Sequence, residues 1–201
     1  LVILDPLLLR TCPPATIAAA GLDALIQAFE SLTSRYATPF TRALSELALQ
    51  HIARALPAVY GGDWSRCAEL LQGSYVAGLA LSHARLGVVH GLAHPLGARW
   101  HLPHGQVCAA CFPACLRWNR PAIAEDLQRV RHLLGVDIEE LLQRWQGQMR
   151  LGAPFAGIPL TDRETIVQEV LASGSTAANP RPVTVADVHR LLDEIFAAPA
   201  G

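Results

Sequence analysis

The sequence predicts an all-α fold, a helical bundle preceded by one short N-terminal strand. Three observations predict it. From Ala15 onward apolar residues return every three or four positions, the period of an amphipathic helix. After residues 1–4 no segment alternates apolar and polar residues well enough for a half-buried strand. Prolines at 39, 57, 103, 121, 159 and 182 fall between the periodic runs, where a residue without an N–H punctuates helices.

In chain order, Leu1–Leu4 reads as the strand, closed by Asp5-Pro6, and Cys12-Pro13-Pro14 as a turn. Helices follow at 15–34, 39–57, 64–82, 86–98, 104–117, 121–134, 137–150, 161–172 and 184–197. Asp63 and Thr184 are placed to act as N-caps. The Ser173–Pro180 stretch, rich in Ser, Thr, Ala and Gly, reads as a surface loop. There is no internal repeat.

Composition narrows the function. At 201 residues the chain is one domain or two small ones, and 51% hydrophobic against 16% charged residues is enough for a substantial core. The net charge of -1, without a basic tract, argues against nucleic acid. All 16 basic residues are Arg, so Schiff-base chemistry and a lysine-dependent phosphate loop are excluded. No apolar run reaches the roughly 18 residues of a membrane span, and Leu1–Leu4 is not a signal peptide. Five cysteines make no disulfide framework, so a reducing, cytoplasmic compartment is expected. Neither a Gly-x-Ser-x-Gly elbow nor a Gly-x-Gly-x-x-Gly turn occurs, leaving no serine hydrolase and no phosphate cradle within the chain.

The most informative residues are histidines. Three of the eight, His90, His94 and His104, fall within fifteen positions among Gly and Pro. His90 and His94 are four apart and share a helical face, while His104 lies past a Pro-containing turn and can return from a second helix. Such a cluster suits a metal or a proton-transfer site. Asp23 and Gln27 are also four apart, and Glu30 is seven from Asp23. Asp23 falls among Ala and Leu, where a carboxylate needs a charge partner. A cation, an Arg or a hydrogen bond to Gln27 would each serve. Cys108, Cys111 and Cys115 follow His104 at helical spacing. One straight helix does not wrap a tetrahedral ion, so they read as core packing. Only Cys108, one turn from His104, lies within reach of an ion held there.

These stretches resemble the iron-containing (group III) alcohol dehydrogenases, specifically their C-terminal helical domain. The resemblance is carried in order by Leu4-Asp5-Pro6 with Pro13-Pro14, Gly21-Leu22-Asp23-Ala24-Leu25, His90-Gly91-Leu92-Ala93-His94-Pro95-Leu96-Gly97 with Pro103-His104-Gly105, and Asn179-Pro180-Arg181. It implies a dehydroquinate synthase-like C-terminal domain, with residues 1–14 as an interdomain strand and turn and 15–201 as the all-helical metal and substrate domain. It implies a divalent metal, Fe2+ or Zn2+, at Asp23, His90 and His104. The remaining ligand position, a histidine in the family, is Gln27 here. His94 is implied as the catalytic residue beside the nicotinamide of NAD or NADP and a small alcohol or aldehyde substrate.

The family's N-terminal dinucleotide-binding domain does not precede these residues in the sequence. The chain begins without Met, in mid-strand, so an upstream segment is expected, and self-association is one way to cover the face it would leave open. Phe29, Trp100 and Phe155 are candidates for an apolar substrate pocket. Two further readings remain: a metal-free maleylacetate reductase-like enzyme, suggested by Gln27, and a non-catalytic helical domain that binds metal or a protein partner.

Overall fold

A computed structural model describes residues 1–197. Each predicted helix forms: α1 Pro14–Thr33, α2 Pro39–Tyr60, α3 Cys67–Ala84, α4 Val88–Trp100, α5 His104–Asn119, α6 Ala124–Leu134, α7 Ile138–Gln148, α8 Arg163–Ala172 and α10 Val185–Ala197. A four-residue helix, α9, spans Gly174–Ala177. α1 is the central element and packs against α2, α3 and α5, while α4 packs on α5, α8 and α9. Its buried residues Ile17, Leu22, Leu25, Ile26, Phe29 and Leu32 therefore span most of its circumference. By length and composition α1 also suits a membrane span, but 67% of its apolar window is buried inside the protein, as befits a core helix.

Three expectations are corrected. The N-terminal strand does not form: Leu1–Leu4 makes no ladder, and among the described residues no strand exists to pair with it. Extended backbone is stabilised only by a neighbouring strand, so an apolar run without one stays irregular. A 3-10 helix follows at Pro6–Thr11, capped by Asp5, whose Oδ1 accepts the Leu7 N–H at 2.9 Å. Leu1, Val2, Ile3, Leu7 and Leu8 are exposed. Second, α2 does not stop at Pro57 but runs to Tyr60, because Pro57 lies in its last turn and its carbonyl still accepts Gly61 N–H at 3.0 Å.

Third, the Ser173–Pro180 stretch is not a surface loop. Thr176, Ala178 and Asn179 are buried. Asn179 Oδ1 accepts the Val88 N–H at the start of α4 (3.1 Å) and an Asn119 amide proton (3.1 Å). Its own amide donates to Asn119 Oδ1 (2.8 Å) and the Arg181 carbonyl (3.0 Å). Small polar residues read as loop by composition, yet Asn179 is paired with Asn119 in the interior, which makes its burial tolerable. The expected caps are present. Asp63 Oδ1 accepts Ser65 N–H, and Thr184 and Asp187 exchange hydrogen bonds at the start of α10.

Asn179→Ala would strip the first N–H of α4 and both Asn119 amide groups of their partner. Loss of a helix cap together with stranded buried amides predicts a stability loss of about 2–4 kcal/mol. Urea denaturation checks this: a midpoint unchanged from the parent chain would mean that this network does not hold the α4 start.

Candidate functional site

The site is built where α1, α4 and α5 meet. The N-cap of α4 is Gly87, which offers no side chain to the free N–H groups of the first turn. They are satisfied from elsewhere: Val88 by Asn179, and Val89 and His90 by Glu30, whose Oε1 accepts Val89 N–H at 2.8 Å and whose Oε2 lies 3.4 Å from His90 N. Glu30 sits on α1, 4% exposed, and an anion at a helix N-terminus is favoured by both the free N–H groups and the helix dipole. A Cβ on residue 87 would lie 2.5 Å from Glu30 Oε1, so only Gly lets the carboxylate in.

Glu30 also accepts from the His90 ring, Nδ1 to Oε2 at 2.7 Å. This fixes the tautomer: Nδ1 carries a proton and Nε2 faces Asp23, 3.2 Å from Oδ1. The backbones of α5 and α1 touch at Gly105, where a Cβ would lie 2.0 Å from the Ala19 carbonyl oxygen. That contact brings His104, the first residue of α5, over Asp23, with its Nε2 3.6 Å from the same Oδ1. Cys108, one turn along α5, places Sγ 3.5 Å from His104 Nε2. The ligand-type atoms of Asp23, His90, His104 and Cys108 all lie within 4.8 Å of one another.

The electrostatics call for positive charge at this point. Burial opposes a charge on His90, but hydrogen bonds with Asp23, Cys108 and Glu30 prevail and push its pKa up to about 12. The proton between His90 Nε2 and Asp23 therefore stands where a shared cation would serve both groups. His104 is shifted down, because burial and the neighbouring His90 and His94 outweigh the pull of Asp23, which favours the neutral ring. Burial pushes the Cys108 thiol up to about 11. Burial also raises Cys111 and Cys115, which are fully buried and face the core as inert thiols.

Two predicted residues lie beside this cluster. Gln27 donates from Nε2 to Asp23 Oδ2 at 2.9 Å, the oxygen opposite the one facing the histidines. His94 is exposed; its ring lies 5.0 Å from that of His104, and its Nδ1 is 2.6 Å from the His90 carbonyl. A carbonyl only accepts, so Nδ1 holds the proton and Nε2 is free to accept another. The aromatic candidates do not share one wall. Phe29 packs edge-on against Phe112 at 5.4 Å, whereas Trp100 and Phe155 cluster with Phe196. A cleft of about 550 Å³ between α5, α7 and α10 is lined by Phe155 but by none of Asp23, His90, His104 and Cys108. Sequence reading missed the role of Glu30. The available signal was an acid two turns from Asp23 in a run as apolar as the core.

The class defined here is an all-helical domain that gathers an acid, two histidines and a cysteine from three helices around a partly open point. Residues 17–196 match the model of the Fe-containing alcohol dehydrogenase family, C-terminal part, and the chain belongs to that family. Among curated relatives, lactaldehyde reductase of Escherichia coli is 34% identical over 193 residues, covering 89% of this chain and 50% of that protein. The 1-propanol dehydrogenase of Salmonella typhimurium is 32% identical over 216 residues, covering 96% and 58%. Among solved structures, the iron-containing alcohol dehydrogenase of Thermococcus thioreducens superposes with a TM-score of 0.87 at 26% identity, over 96% of this chain and 54% of that one. The chain thus spans about half the length of the relatives it matches.

Glu30→Ala would leave a buried imidazole and the Val89 N–H without their acceptor. Removing one member of a buried ion pair predicts a loss of about 3–5 kcal/mol. Equilibrium denaturation at neutral pH measures it, and a change below about 1 kcal/mol, the size of a surface effect, would count against the His90–Glu30 pair.

Proposed function

We propose that this chain is the metal- and substrate-binding half of an NAD(P)-dependent alcohol dehydrogenase or aldehyde reductase, acting with a dinucleotide-binding domain. The observation that carries it is the convergence of Asp23, His90 and His104 from three helices, with Glu30 behind His90. A carboxylate that fixes the far nitrogen of a ligating histidine is the usual support of a metal-bound imidazole. One carboxylate and two imidazoles suit Fe2+ or Zn2+.

A divalent ion bound there would supply Lewis acidity toward an alcohol or aldehyde oxygen, and a nicotinamide held by another domain would supply hydride chemistry. The chain's own residues do the rest. Asp23, His90 and His104 would hold the ion, and Gln27 steadies Asp23 by pinning Oδ2. His94 keeps its proton on Nδ1, directed at the His90 carbonyl, and presents Nε2 on the exposed side to take a proton or pass it to solvent. The Asp23 and His104 side chains are 20% and 39% exposed, so a small substrate can reach them. The exposed apolar residues at positions 1–8 suit contact with the other domain or with a second copy of the chain.

The Gln27–Asp23 hydrogen bond favours a second reading, the metal-free maleylacetate reductase-like one, in which hydrogen bonds replace the ion. Elemental analysis separates the two. The metal reading expects about one divalent ion per chain, with affinity falling more than about 100-fold in His104→Ala; second-layer changes alone already reach that range. A metal-free parent chain that is still active when joined to a dinucleotide-binding domain of the family would establish the second reading. Titration with NAD and NADP is the companion test. The chain alone should not bind either measurably, and micromolar binding would remove the need for a separate dinucleotide-binding domain.

A further inference from the structure

We propose that Cys108 is itself a metal ligand, and that Asp23, His90, His104 and Cys108 form a four-ligand site that takes zinc in preference to iron. This rests on the metal reading above and departs from the ligand set that the resemblance implies. The argument is geometric. Bonds of about 2.0–2.3 Å in a tetrahedron put neighbouring ligand atoms about 3.3–3.8 Å apart. Three of the six edges of this cluster are 3.2 Å from His90 Nε2 to Asp23 Oδ1, 3.6 Å from His104 Nε2 to Asp23 Oδ1 and 3.5 Å from Cys108 Sγ to His104 Nε2. All four atoms lie within 4.8 Å of one another, so small rotations close the figure.

Cys108 reaches the point because it follows His104 by four residues and stacks on the same face of α5. Cys111, seven residues on, is about 10 Å further along the axis and faces the core. Gln27 donates its amide to the far oxygen of Asp23, which leaves the place nearest the histidines to sulfur. On binding, the thiol releases its proton to solvent and the sulfur donates a lone pair to the ion. One thiolate and one carboxylate then neutralise a divalent charge, whereas two imidazoles and one carboxylate leave it half balanced. Thiolate is a soft ligand and shifts preference toward zinc over iron. The exposed edge at His104 and Asp23 leaves room for a fifth ligand, the expansion open to catalytic zinc.

The test is cobalt(II) titration of the whole chain, followed by zinc X-ray absorption. The parent chain should bind one cobalt and show thiolate-to-cobalt charge-transfer absorption in the near ultraviolet. Cys108→Ala and Cys108→Ser should lose that absorption and bind cobalt at least tenfold more weakly, while Cys111→Ala should keep both. Zinc absorption on the parent chain should show one sulfur at about 2.3 Å, a readout that needs no variant to fold. In competition, equimolar zinc should displace iron(II). One cobalt per chain with no charge-transfer band, and equal affinity in Cys108→Ala, would overturn the role of Cys108 and leave the three-ligand reading standing. No binding of cobalt or zinc by the parent chain would overturn both.

Discussion

The buried carboxylate of Glu30 is the interaction on which the site depends. An anion 4% exposed in an apolar bundle is unfavourable unless every lone pair is met. Here α4 meets it, with two backbone N–H groups at a helix start and the proton on His90 Nδ1. The bond works in both directions. It satisfies donors that Gly87 cannot cap, and it joins α1 to α4 at the level where Asp23 and His90 face each other. Remove the carboxylate, and both the entry of α4 and the orientation of its first histidine lose their reference.

The second constraint is the backbone contact between α5 and α1 at Gly105. Side chains normally hold helices about 8–10 Å apart. A glycine packed against the Ala19 carbonyl lets α5 come closer, and the residue before it is His104. Two tight approaches, at Gly87 and at Gly105, thus bring two histidines from different helices onto one oxygen of Asp23. The glycines beside the histidines of the sequence cluster are part of the site because they contribute no atoms to it.

Much of this was legible in the sequence, for reasons that differ by element. The helices could be read because apolar periodicity and proline are local signals, and the candidate cluster because the His90/His94 and Asp23/Gln27 spacings are local too. The strand at Leu1–Leu4 failed because a strand is defined by its neighbour, which no local pattern supplies. The Ser173–Pro180 stretch failed because composition measures polarity and not pairing. Asn179 is polar and buried only because Asn119, sixty residues away, is polar and buried with it. The part played by Glu30, and the closeness of Cys108 to His90, arise from contacts between helices that spacing along one helix does not encode.

The site is unevenly buried, and that asymmetry bears on its chemistry. His90 and Glu30 are almost wholly enclosed, while Asp23 is partly open, His104 more so, and His94 exposed. Were all of these groups in water, their attractions would be screened to little. Were all of them enclosed, their charges would be locked in mutual pairs, with no group left to exchange a proton or receive a ligand. Burial instead decreases from the α1–α4 junction outward. The inner end is held by paired groups; the outer end keeps His94 Nε2 without a hydrogen-bond partner among the described residues. The rigid half is supplied by this chain's own packing, and the open half, from Asp23 through His104 to His94, is where the cluster meets solvent.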